Sequence, residues 1–215
     1  MIRQTEKSIG RIQWKEGQGE YRIQTICSRL YKIRTLSADE KRLVHLLAVL
    51  PYGKYPAGIL KEMLGGRSPA RKVDNLLDQL YLKGWLDRYP DGYSMHPLVA
   101  ESILGNGVKE SDFPGLWQYL MRCLPSVSLT NIEDLLNEPV DHLEQARLLQ
   151  HAAGCLKGDV SAELVDLCLA AAFEILKGQE AGFAVSAMTR RLVKQCPSIS
   201  WEQQALIQIV GCLFY

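Results

Sequence analysis

The sequence has no Cys-x-x-Cys pair, no Gly-x-x-x-x-Gly-Lys-Ser/Thr loop, no two histidines one helical turn apart, and no excess of charge of one sign. Each absence removes a class of function. The six cysteines (Cys27, Cys123, Cys155, Cys168, Cys196 and Cys212) are scattered, several within apolar helical runs, so they are expected as reduced, buried thiols rather than zinc ligands or disulfides. The nearest approach to a phosphate loop, Gly53-Lys54-Tyr55, lacks both the upstream glycines and the hydroxyl that would hold Mg²⁺, so the chain cannot hydrolyse nucleotide by itself. With 25 basic and 24 acidic side chains there is no global field to draw nucleic acid or an anionic membrane, and only a local basic patch could do so. The start, Met1-Ile2-Arg3-Gln4-Thr5-Glu6-Lys7, is too polar for a secretory leader, and no apolar run reaches the roughly 18 residues of a membrane span. A cytoplasmic protein with no membrane partner is expected.

What is present is helix. The 215 residues are 47% apolar, enough for a real core in one large or two small domains. Three regions are expected: an irregular segment 1–20, a domain 21–105 and a helical domain 106–215. The first holds at most a short strand at Arg11-Ile12-Gln13-Trp14. From Tyr21, apolar residues Ile23, Ile26, Cys27, Leu30 and Tyr31 recur at helical spacing to near Ile33, with Arg22, Arg29, Lys32 and Arg34 as a solvated outer face. Ser37-Ala38-Asp39-Glu40 is a capping-box pattern opening a helix through Leu43, Val44, Leu46, Leu47 and Leu50, which Pro51 stops. After a turn at Gly53 and Pro56, a short helix through Ile59, Leu60, Met63 and Leu64 ends at Gly65-Gly66. Ser68-Pro69 caps a third helix with a buried stripe of Val73, Leu76, Leu77, Leu80 and Tyr81, ended by Gly84.

The period then changes. Trp85 to Tyr89 and Tyr93 to Met95 flank the turn Pro90-Asp91-Gly92 and read as a β-hairpin. Three helices followed by a hairpin wing is the winged form of the helix-turn-helix unit. Directly after it, Ser94-Met95-His96-Pro97-Leu98 places His96 in an extended residue before a helix that Pro97 should start, running through Val99, Ile103 and Leu104. An imidazole N–H beside the unpaired backbone donors of a helix start would suit a phosphate oxygen, whereas the plainer role for such a histidine is capping or packing.

From Leu36 to Leu104, about a third of the chain, the sequence resembles the winged-helix domain of the STAND class of signalling ATPases, the NB-ARC-like group that includes plant resistance proteins and apoptotic-protease activators. The resemblance rests on Leu46-Leu47-Ala48-Val49-Leu50-Pro51, on Leu76, Leu77, Leu80 and Gly84-Trp85-Leu86, and above all on Tyr93-Ser94-Met95-His96-Pro97-Leu98. It implies that His96 contacts the β-phosphate of ADP in a neighbouring nucleotide-binding domain and holds a resting state, with ADP or ATP and Mg²⁺ belonging to the parent protein and no cofactor to this chain. Plant members show Met-His-Asp; here Pro97 stands in place of the acid, as in prokaryotic relatives, so no role of that acid carries over. The missing phosphate loop, the polar start and the apolar finish Cys212-Leu213-Phe214-Tyr215 lead us to expect a fragment without its nucleotide-binding domain.

Beyond the hinge Gly105-Asn106-Gly107 the strand signal vanishes. Helices are expected over Asp112 to Leu124, Asn131 to Leu136, His142 to Leu156, Ser161 to Leu176, Ala181 to Gln195 and from Ser200 onward, as antiparallel hairpins of a solenoid like the tetratricopeptide repeat (TPR) arrays. The helix through Leu164, Leu167, Cys168, Ala171, Phe173 and Leu176 is apolar on most faces and should be central. The fold class expected is therefore mainly α, a winged helix followed by a TPR-like region. The first functional reading is a non-catalytic regulatory fragment whose partners are the nucleotide-binding domain, a protein or ligand on the helices, and further copies on activation. The alternative is a winged-helix DNA-binding regulator using Arg67, Arg71, Lys72 and Lys83, against which stand Asp74, Asp78, Asp87 and Asp91 on the same surfaces. A scaffold that only binds a protein partner is a third. An enzyme is the weakest: His45 lies in an apolar helix, His142 and His151 accompany Asp141 and Glu144 without metal spacing, and Asp74 with Asp78 reads as a solvated face.

Overall fold

The computed structural model describes residues 31–65, 70–105, 107–178 and 183–213. Within them the chain is mainly helical, with one two-stranded antiparallel sheet. It divides into two compact units whose main boundary falls between Asn106 and Gly107, while Val49–Pro51 and Glu62–Arg67 group with the second unit. The expected strand at Arg11–Trp14, most of the helix from Tyr21, and the Ser68-Pro69 cap lie outside the described residues. The expected end of that first helix is instead a 3₁₀ turn, Ile33–Thr35.

The first unit contains α1 (Ala38–Val49), α2 (Ala57–Met63), α3 (Ala70–Leu82), β1 (Asp87–Tyr89), β2 (Gly92–Ser94) and α4 (Pro97–Leu104). The capping box forms: Ser37 N–H donates to Glu40 Oε2 at 2.8 Å and Glu40 N–H to Ser37 Oγ at 3.3 Å. Leu43, Leu46, Leu60, Leu77 and Leu80 fill the core with at most 1% exposure. Tyr81, expected in the α3 stripe, is exposed. At about 100° per residue it lies on the edge of a stripe centred on Val73, Leu77 and Leu80, and the phenol can reach water there. Gly84, at φ +76°, ends α3 by letting Trp85 N–H bond Leu80 O and Gly84 N–H bond Tyr81 O, both at 2.9 Å.

The hairpin pairs Asp87 with Ser94, Arg88 with Tyr93 and Tyr89 with Gly92, so only Pro90 and Asp91 form the loop and Gly92 is strand rather than turn. All of β1 is exposed and all of β2 buried. Tyr55, in the connection between α1 and α2, exchanges two backbone hydrogen bonds with Tyr93 (2.9 and 3.0 Å) and so ties the hairpin to the helices. That approach requires Gly92, where a Cβ would lie 2.6 Å from the Tyr55 carbonyl carbon and oxygen.

The second unit contains α5 (Pro114–Cys123), α6 (Ile132–Asn137), α7 (Leu143–Cys155), α8 (Ala162–Lys177), α9 (Phe183–Gln195) and α10 (Trp201–Leu213). Their ends lie within two residues of those the glycines, prolines and caps predict. α8 is central: it packs against α5, α6, α7, α9 and α10, and every residue from Leu164 to Ile175 except Asp166 is buried. Ala170, Ala171 and Ala172 let the neighbouring helices come close. Along the chain from α7 to α10, each helix touches the next and the next but one.

Polar side chains close the helix ends. The Glu110 carboxylate accepts the Ser161 N–H (2.7 Å) and hydroxyl, while Ser161 Oγ accepts the Leu164 N–H (3.1 Å) at the start of α8. Arg191 donates to the Ala153 and Gly154 carbonyls (2.6 and 3.0 Å) at the end of α7. Glu174, 1% exposed, pairs with Lys177 and accepts the His142 N–H at 3.3 Å. Of the cysteines, Cys168 and Cys196 are free and buried as expected, whereas Cys123 and Cys155 are half-buried and Cys212 is exposed; Cys27 lies outside the described residues. α10 buries Gln203, Leu206 and Val210, and Cys212 is about 200° around the helix from Val210. No helix among the described residues is long and apolar enough to cross a membrane.

Candidate functional site

His96 is the N-cap of α4, with φ −64° and ψ 135°, and Pro97 takes the first helical position. The preceding Met95 is buried and anchors the strand end, while His96 itself is exposed. Its Nδ1 accepts the Leu98 N–H at 3.2 Å. Its carbonyl accepts the Val99 N–H (2.9 Å) and the Ala100 N–H (3.1 Å). Pro97 has no N–H, so the start of α4 has no unpaired amide left at Leu98, Val99 or Ala100. This corrects the expectation of a helix end whose backbone donors await a phosphate. What remains is one donor: an imidazole that accepts at Nδ1 carries its proton on Nε2, and Nε2–H points away from the cap. The positive end of the helix dipole adds a modest attraction for an anion.

Two of the four basic residues considered for nucleic acid, Lys72 and Lys83, are occupied within the first unit. Lys72 Nζ lies 2.6 Å from Asp39 and Lys83 pairs with Glu40, the two acids in the first turn of α1. Lys83 is the main reason that the Glu40 carboxyl titrates below its ordinary range, opposed by burial and helped by Ser37. Arg67 lies outside the described residues, as does the side chain of Arg71. On the wing, Arg88 pairs with Asp78 (3.1 Å) and Lys54 with Asp91 (3.2 Å). A phosphate backbone would have to displace a carboxylate at each of these four cations.

Asp78, expected as part of a solvated face, is a junction. It accepts the Tyr93 hydroxyl at 3.0 Å and Arg88 at 3.1 Å, which fastens the hairpin to α3. Burial, with Asp78 beside it, raises the Tyr93 phenol; burial pushes Tyr55 up to about 12. Among the described residues no three His, Cys, Asp or Glu side chains come together as metal ligands. His45 is half-buried in α1, His142 caps α7 without a side-chain cap bond, and burial holds the His151 imidazole below its usual value. Burial also raises the Cys155 thiol, which opposes use as a nucleophile.

Sequence reasoning missed two features. Glu174 is the only charged residue from Leu167 to Leu176, and that isolation was the available signal for a buried ion pair. The other is a groove in the second unit with Glu163, Asp166 and Glu202 on its walls. Comparison with known proteins returns no matching family model, no matching characterised protein and no matching solved structure.

Proposed function

We propose that this chain is the winged-helix and helical portion of a STAND-class signalling switch and performs no chemistry itself. His96 donates from Nε2 to the β-phosphate of ADP held by a nucleotide-binding domain outside this chain. A partner on the α5–α10 helices is coupled to that contact. The single observation that carries the reading is the N-cap geometry of His96, which fixes the tautomer, leaves Nε2 exposed and spends every nearby amide. Three helices, a hairpin tied to the α1–α2 connection, and the Met95-His96-Pro97-Leu98 sequence support the winged-helix part. Contacts of each helix with the next but one support a TPR-like stack for the rest.

The mechanism is a population shift. A hydrogen bond to a charged phosphate, made only in the resting state, favours that state by about 1.5–3 kcal/mol, or roughly 10- to 100-fold in ADP affinity. The test is nucleotide retention in the assembly of this chain with its nucleotide-binding domain. Asparagine can cap a helix as histidine does here but carries no donor at the Nε2 position. Thus His96→Asn should release ADP about tenfold faster while the fold keeps its stability. Equal retention in both proteins would sink the reading.

DNA binding is the second reading, and its test is salt-dependent titration of a labelled duplex. Binding that weakens steeply with salt and is lost in Lys72→Ala would overturn the switch proposal.

A further inference from the structure

We propose that the groove walled by the α5–α6 connection, the first half of α8 and the start of α10 receives a basic segment with an apolar face, supplied by a protein partner. The cavity is about 600 Å³, within the range that recognises side chains selectively. Its apolar lining includes the half-buried Pro125 and Val127 and, from the packed interior of the second unit, Leu124, Leu167 and Leu206. Met121, on the lip, is 48% exposed, an unbranched thioether available to a ligand. Above this floor stand Glu163, Asp166 and Glu202, and no Lys, Arg or His is among the described lining residues.

The carboxylates are held differently. Asp166 accepts the Gln203 amide at 2.7 Å, and Gln203 also reaches the Ala162 carbonyl, so α8 and α10 are pinned at the groove. Glu202 Oε1 accepts the Leu129 N–H at 3.1 Å and fixes the α5–α6 connection. Glu163 is exposed and has no hydrogen bond or ion pair among the described residues. Helix dipoles alone would favour Glu163 and Glu202, since both lie in first turns. The dipoles do not account for the open apolar trough between them, nor for three carboxylates without a counter-cation. Trp201, next to Glu202, is 74% exposed, and its indole face would take a lysine or arginine that a neighbouring carboxylate attracts. Charge therefore selects the occupant: basic groups for the walls, leucine-like groups for the floor. This deepens the partner-receiving role given above to the helical unit and rests on that reading for its biological meaning; the binding itself does not involve His96.

The test titrates the full chain into a fluorescein-labelled model helix of about 12 residues, with leucine at i, i+3, i+4 and i+7 and lysine elsewhere. Saturable binding is expected, with a roughly tenfold loss in Glu163→Lys, a smaller loss in Met121→Ser, and none in Glu144→Lys, an exposed charge reversal on α7 that checks for a merely general field. Far-UV circular dichroism confirms that each variant is folded. Three results would overturn the proposal: equal weakening by Glu163→Lys and Glu144→Lys; equal binding of oligolysine or spermine, which would mean charge without a groove; or a concentration-dependent dimer that Glu163→Lys abolishes, which would make a second copy the occupant. His96→Asn should leave peptide binding unchanged, so either reading can fail without the other.

Discussion

The two units bury their interiors by different means. In the first, α3 presents one apolar stripe, and Lys72, Lys83, Arg88 and Lys54, all partly exposed, each hold a carboxylate, of which only that of Glu40 is buried. In the second, α8 is buried on every side from Leu167 to Ile175, and both members of the Glu174–Lys177 pair are carried inside with it. A one-sided helix can shift toward solvent when a side chain is trimmed. The stretch of α8 from Leu167 to Ile175 has no free side along which to relax, so the same chemical change should cost more there.

The sharpest test of that contrast is Phe173→Ala, since Phe173 is fully buried in the middle of α8. We expect a loss of about 3–5 kcal/mol in urea unfolding, against about 1 kcal/mol for Leu76→Ala on the half-exposed edge of the α3 stripe. Comparable losses would remove the distinction. Glu174→Leu should cost about 3 kcal/mol, because Lys177 would be left buried without its counter-charge and the His142 N–H without its acceptor. Adding Lys177→Met should recover most of the loss, whereas a surface pair would show almost no effect in either direction. In the first unit the tightest point is backbone rather than side chain. Gly92→Ala would drive a methyl into the Tyr55 carbonyl, and a loss of about 1–3 kcal/mol is expected, with weakened amide protection at Tyr55 and Tyr93 in hydrogen exchange.

The same contrast explains what could be seen in the sequence. The second unit was legible because its helices are punctuated locally: Pro125, Gly158, Gly178 and Pro197 interrupt the apolar runs, and Ser161 and Ser200 cap them. The centrality of α8 followed from the lack of a polar face. In the first unit the capping box and the Gly84 stop were equally local. What sequence could not supply was pairing at a distance. Lys72 with Asp39, Lys83 with Glu40, and Asp78 with Tyr93 each join residues from different elements, so cations that look free in a linear reading are spent. At His96 the helix start was correctly located at Pro97, but the occupation of its amides depends on the bend of the cap itself. The groove draws on three separated stretches, around residues 121–128, 162–170 and 198–206, and no one of them carries its signature.

The smallest expected effects separate two lysines that look alike. Lys72 and Lys83 each hold an acid in the first turn of α1, but Asp39 is partly exposed and Glu40 is buried. Lys72→Met releases a carboxylate that water can solvate, so it should change stability by at most about 0.5 kcal/mol. Lys83→Met leaves the Glu40 charge with only its Ser37 hydrogen bonds, and a loss of about 1 kcal/mol is expected, moderated because the lysine itself is half-exposed to solvent screening. The pH dependence has a definite sign. Glu40 titrates below the ordinary glutamate value of 4.5, so its contribution is complete above that value and is lost as pH falls through the lower, folded-state one. Wild type should therefore lose stability on the acid side in a step that is shallower in Lys83→Met and absent in Glu40→Gln. Urea midpoints measured from pH 6 down to about pH 3 would show it. If the two lysine variants lost stability equally and with the same acid slope, burial of the carboxylate would not be what distinguishes these pairs.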